Sequence, residues 1–242
     1  MGFMKTLGII VVVVLLVAVL VLGYLGFVPG LSDLMGSTKP KDLGVKYTSA
    51  DLSSINSKVG VTYTTLPGST PAAQSEVVSG SKALQTQVTQ EEITALVNDH
   101  SGKWKAYPVS DAQVKINQDG TMEMSGVLRM DRLDNYVAAT GATGEQVQQV
   151  LTTAKSLGSN PRFYGKWDID VTNGQVTGNI DQITIGNLDL PQDQVQANKA
   201  LILQAIQGRL HELNINAKTI TVSNGKLVFD GTVPTQVALA PP

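Results

Sequence analysis

Between Leu7 and Val28 the chain reads LGIIVVVVLLVAVLVLGYLGFV, 22 residues without a charge. As a helix this run is about 33 Å long, close to the thickness of a bilayer's hydrocarbon core. Backbone N–H and C=O groups in lipid must pair within the segment, so even its many valines are expected to be helical. A cleavable signal has a shorter apolar core, of about 7–15 residues, followed by a small-residue cleavage site. Gly26-Phe27-Val28-Pro29-Gly30 offers no such site. The run is read as an uncleaved transmembrane signal anchor over residues 7–28, behind a tail of residues 1–6. That short tail and Lys5 favour a cytoplasmic amino terminus and a C-terminal part outside the cell membrane. Lys39, Lys41 and Lys46 on the other flank pull against this orientation.

Composition narrows what the rest of the chain does. Charged residues make up 16% of the sequence and aromatics 5%, a weakly charged, β-rich balance that still carries enough apolar residues to fold. Of the 18 basic residues only Lys5 precedes residue 33, so 17 face all 20 acidic ones in the outer part. No basic stripe exists for nucleic acid. With no cysteine, disulfides, thiol nucleophiles and zinc–thiolate sites are excluded together.

Local signals set the organisation. Residues 29–44 are rich in Gly, Pro, Ser and Lys and read as a linker. Residues 45–80 read as a small extension, with a helix opened by the capping box Thr48-Ser49-Ala50-Asp51 and an alternating strand from Val59 to Leu66. The main domain, residues 81–235, begins with a strand at Lys82–Val88. A second capping box, Thr89-Gln90-Glu91-Glu92, opens a helix ending near Gly102 with Ile93, Leu96 and Val97 on one face. A hairpin follows around Asn117-Gln118-Asp119-Gly120. Helices are expected over Asp131–Ala139 and, from a third capping-box spelling at Thr143, over Gly144–Leu157.

The strand Phe163–Val171 turns at Asn173-Gly174, a pair that accepts the positive φ of a tight hairpin. Its return strand carries Val176, Ile180, Ile183 and Ile185, a spacing that breaks period two and predicts a bulge or bend. Pro191 then starts the longest helix of the outer part, to about Leu213, with an apolar stripe through Val195, Ile202, Ala205, Ile206, Arg209 or Leu210, and Leu213. A last hairpin turns at Ser223-Asn224-Gly225, and residues 236–242 read as a disordered tail. A capped helix followed by a Gly-turn hairpin thus occurs twice, at Thr89–Val127 and Pro191–Val233. The expected fold class is α+β: an antiparallel sheet of hairpins with long helices packed on one face.

The span, the helix TQEEITALVNDH, the hairpins VKINQDGTMEMSG and ITVSNGKLVFDG, and IGNLDLPQDQV entering a long helix resemble small membrane-anchored bacterial proteins of the tubular-lipid-binding-like (TULIP-like) kind. The resemblance covers Ser81 to Val233. It implies a long helix lying in the concavity of a curved sheet with apolar side chains between them, and it carries over no ligand-binding residue.

Catalytic spellings are few. His100 and His211 both sit near predicted helix C-termini, where an imidazole meets the helix dipole favourably. Ser79-Gly80-Ser81-Lys82 spells S-x-x-K, but in the entry to a strand and without partner motifs. Asp168 and Asp170 share the outer face of a strand without calcium-loop spacing, so no metal or other cofactor is expected. Trp104 and Tyr107, in a loop, are the aromatic residues expected to be most exposed, whereas Trp167 belongs to a core face.

These observations lead to a binding module without enzymatic activity, held at the membrane by a single pass. Its first candidate ligand is a lipid or other apolar molecule in a groove. Val195, Ile202, Ile206 and Leu210 of the long helix would face Trp167, Ile169 and Ile220 across it. The alternative is a structural or interaction protein of the cell envelope that binds another protein or a wall polymer through its surface.

Overall fold

The computed structural model of the chain describes residues 39–141, 160–186 and 188–242. The expected span at residues 7–28 and the expected helix Gly144–Leu157 lie outside the described residues. Among those described, no helix is long and apolar enough to cross a membrane.

The chain is α+β. Helix α1 (Ser49–Val59) leads to strand β1 (Thr62–Thr65), a 3₁₀ turn (Ala72–Gln74), then β2 (Glu76–Ser79) and β3 (Lys82–Val88). Helix α2 (Gln90–Lys103) precedes the hairpin β4 (Val109–Ile116) and β5 (Met122–Leu128), and α3 (Leu133–Thr140) follows a second 3₁₀ turn. The central hairpin is β6 (Arg162–Thr172) and β7 (Gln175–Ile185), continued by the short β8 (Leu188–Asp189). Helix α4 (Gln192–Glu212), the hairpin β9 (Asn216–Ser223) and β10 (Lys226–Val233), and β11 (Gln236–Leu239) complete it.

The helix starts follow their local chemistry. At both Thr48 and Thr89 the capping box is formed, the carboxylates of Asp51 and Glu92 accepting from the threonine N–H at 2.7 and 2.9 Å. Asn173 and Gly174 have φ of 48° and 78°, as their tight turn requires. The broken spacing on β7 has its cause one residue beyond Ile180. Lys166 pairs with Gln182 and Trp167 with Ile180, so Asp181 is the extra residue of a bulge.

An eight-stranded sheet runs β3-β10-β9-β6-β5-β4, with β7 along the other side of β6. One edge of β6 is shared: β5 takes Arg162 to Trp167, and β9 takes Val171 and Thr172. The sheet therefore forks at β6, with one arm running β5-β4 and the other β9-β10-β3. A smaller sheet, β1-β11-β2, contains the only parallel pair among the described strands, β1 with β11.

Three sequence expectations are corrected here. The tail is no frayed end: Val237, Leu239 and Ala240 are buried, and β11 is the central strand of the smaller sheet. The stretch 45–80 is no separate extension, because Ile55, Val59 and Val237 belong to the same core cluster as the main sheet. The end of the supposed linker is bound, with Leu43 N–H donating to Gln113 at 2.9 Å and the Lys41 ammonium 3.6 Å above the Tyr164 ring. Leu43, Val45 and Tyr164 form a second small apolar cluster there.

The helices do more than lie on one face. Their apolar stripes enter the core, while uncharged polar stripes bond to the outer strands. Along α2, Gln90, Thr94 and Asn98 follow one another at intervals of four and meet Ile116, Val114 and Ala112 of β4 at intervals of two. Four helical residues advance about 6 Å and two strand residues about 6.8 Å, so the two rows stay nearly in register. The Thr94 hydroxyl accepts from Val114 N–H at 3.0 Å and donates to Val114 C=O at 3.3 Å. The Asn98 amide does the same for Ala112, at 3.0 and 2.8 Å, and Gln90 accepts from Ile116 N–H at 3.2 Å. The helix takes the place of a neighbouring strand.

Helix α4 runs beside β7 in the same way. Gln192 and Gln196 both donate to Ile180 C=O, at 3.0 and 3.2 Å. Gln207 accepts from Val176 N–H at 2.9 Å and donates to Gly174 C=O.

Candidate functional site

The seven residues expected to line a groove lie on α4, β6 and β9. Val195, Ile202, Ile206, Leu210, Trp167, Ile169 and Ile220 are all buried members of the main apolar cluster. Ile202 and Ile206 have no exposed surface. Leu210 alone of the seven also reaches the wall of a cleft.

That cleft has a volume of about 360 Å³ and lies where α4 ends. Asn173 and Gly174, from the β6–β7 turn, form one wall; Gln207, Leu210 and His211 form a second; residues 215–218 of β9 and its approach form the third. Local structure positions each wall. The turn is fastened to β9 by Asn173 N–H to Lys218 C=O and Gly174 N–H to Ala217 C=O, both 2.8 Å. Helix α4 ends because Asn214 takes a left-handed φ of 52°, letting Ile215 N–H return to Leu210 C=O at 2.9 Å.

The cleft has an aliphatic floor of Leu210, Ile215 and Ala217, all buried, beneath a rim of amides from Asn173, Gln207 and Asn216. His211 is exposed on that rim, and Lys218 stands 3.7 Å from Asp230. Among the described residues, none that lines the cleft carries a carboxylate. Amide groups both donate and accept, so this surface suits peptide groups or sugar hydroxyls, with apolar contact beneath. In the sequence Asn173 was visible only as a turn residue, and nothing marked Gln207 or Asn216.

A second concentration of polar side chains is internal. Trp104 and Tyr107, expected to be exposed, are 0% and 1% exposed. The reason is the smaller sheet, which covers the end of α2: Trp104 donates to Ser75 at 2.9 Å, and His100 stacks edge-on to Tyr63 with ring centres 5.6 Å apart. Burial pushes the Tyr107 and Tyr136 hydroxyls well above the ordinary tyrosine range. Arg209 crosses from α4 to bond Glu76 of β2, and its second guanidinium nitrogen donates to Glu212 at 2.8 Å. His100 Nδ1 lies 3.0 Å from Leu96 C=O, so it donates to its own helix. The cluster fastens two sheets and α4 together.

The remaining sequence candidates are dispersed. Ser79 and Lys82 lie on different strands on either side of Gly80, and the Lys82 ammonium donates to Gly60 C=O, so this S-x-x-K spelling does not form a helical turn. Asp168 is bonded to the Asn179 side chain at 3.2 Å. No cluster of three or more potential metal ligands occurs among the described residues. No protein-family model matches the chain, and comparison with curated proteins and with solved structures gives no match either.

Proposed function

We propose that the chain is a membrane-anchored, extracytoplasmic binding module without enzymatic activity. In this reading it engages an envelope partner, a protein or a wall polymer, at the cleft where α4 ends. The observation that carries this is the cleft's make-up: amides from three separate elements over a buried aliphatic floor, open to solvent without rearrangement. A lipid lodged between α4 and the sheet, as the TULIP-like resemblance implies, would instead have to part the fully buried Ile202 and Ile206. Close-packed cores resist such opening, which favours the surface cleft.

The test is cross-linking in the native membrane, with a photoreactive phenylalanine analogue in place of His211 in the full chain. The same analogue in place of Tyr47, exposed just ahead of α1 and away from the cleft, serves as control. Adducts of a defined protein or glycan at position 211 alone support the cleft. Lipid adducts at 211 return the reading to an apolar ligand, and equal labelling at both positions removes the cleft as a specific site.

A further inference from the structure

We propose that β3 is a self-pairing edge, through which two copies of this chain join antiparallel, Gln85 opposite Gln85. The proposal stands apart from the cleft. Strand β3 bonds to β10 on one side, from Val88 opposite Leu227 to Lys82 opposite Val233. Its other side points away from the sheet. The Gln87 carbonyl accepts from Lys58 at 3.2 Å there, which sets the phase: Ala83, Gln85 and Gln87 turn their backbone groups outward.

Among the described residues, Lys58 supplies the one hydrogen bond that reaches those outward groups. The β4 and β7 edges, by contrast, are closed by rows of helix side chains. An open strand edge is a template on which another strand can pair.

Self-complementarity selects a second copy. In the antiparallel pair centred on Gln85, Ala83 faces Gln87, a small side chain against a long one, and the two Gln85 amides meet each other. Lys82 falls opposite Val88 and not opposite its own copy, and Lys58 beside Gln87 is neutralised by Glu92. All three central side chains are exposed and uncharged. The Gln87 oxygen keeps a second lone pair for the partner while Lys58 stays bound to Glu92 at 2.7 Å. The pairing has two-fold symmetry and closes, so it ends at a dimer.

The chain has no cysteine, so single cysteines report register without background. In membranes holding the full chain, mild oxidation of Gln85→Cys should give a disulfide dimer, its Cα atoms about 5.5 Å apart. Gln87→Cys alone would place the thiols about 14 Å apart and should give roughly tenfold less. Mixed with Ala83→Cys, however, it should cross-link. Adding Gln87→Pro to Gln85→Cys removes an outward N–H that β10 does not use, and should abolish the dimer while the fold persists. Equal cross-linking at 85 and 87, or none at 85, overturns the proposal.

Discussion

Helices α2 and α4 close the β4 and β7 edges of the sheet, yet with unequal tightness. The Thr94 hydroxyl is fully buried, and α2 bonds three successive alternate residues of β4. Along α4 the bonds gather at two places, Ile180 and the turn at Gly174 to Val176, and Gln192 and Gln196 are exposed. Between them Lys199 reaches only the Asn179 side chain, at 2.9 Å. The carboxyl end of α4 is fixed differently, by the buried Arg209–Glu76 ion pair. A helix bonded along its whole polar stripe moves only with the domain, whereas one held at points can open locally. The cleft adjoins the second kind, and Gln207 belongs both to the edge and to the cleft wall.

Breaking the ion pair should have the largest effect. Arg209→Met removes the buried cation that faces the Glu76 carboxylate and should cost about 3–5 kcal/mol in urea unfolding, with Glu76→Gln in the same chain recovering part of it. Thr94→Val keeps shape but leaves the Val114 N–H and C=O unbonded, a loss of about 2–3 kcal/mol. If α4 is the looser helix, Gln207→Ala should cost only about 1 kcal/mol, and Gln192→Ala about 0.5 kcal/mol or less. A Gln207 change as costly as the Thr94 change would erase the contrast.

The smallest effect appears only as a pH slope, at the start of α2. Burial alone would raise the Glu92 carboxyl, but hydrogen bonds from Lys58, Ser54 and the Thr89 N–H outweigh it and hold Glu92 below its ordinary value of 4.5. A depressed carboxyl stabilises the fold above its unfolded value and loses that contribution as pH falls through the folded one. The urea midpoint should therefore drop below about pH 4.5, and Glu92→Gln should flatten that part of the profile. An unchanged slope in Glu92→Gln would show that the capping carboxylate does not brace α2.

What the sequence disclosed was local. The capping boxes at Thr48 and Thr89, the turn Asn173-Gly174, the strand Lys82–Val88 and the stripe of α4 each follow from neighbours a few residues apart. Strands β2 and β11 were missed because each is only four residues long and is held by partners far away in the chain. The same non-local sheet buries Trp104 and Tyr107, which local pattern placed in an open loop. The edge-closing role of α2 left a trace that went unread: Gln90, Thr94 and Asn98 are polar, uncharged and four apart, and a wholly solvated helix face would have no reason to avoid charge there. The cleft left almost none, since its amides come from three elements that only folding brings together.

Hydrogen exchange of the full chain, resolved to single amides, tests the unequal closure most directly. Val114 should exchange only through global unfolding, with a free energy matching that from urea. Val176, bonded to Gln207, should exchange through a smaller opening of the α4 edge. Equal protection of the two amides, or a slower Val176, would contradict it.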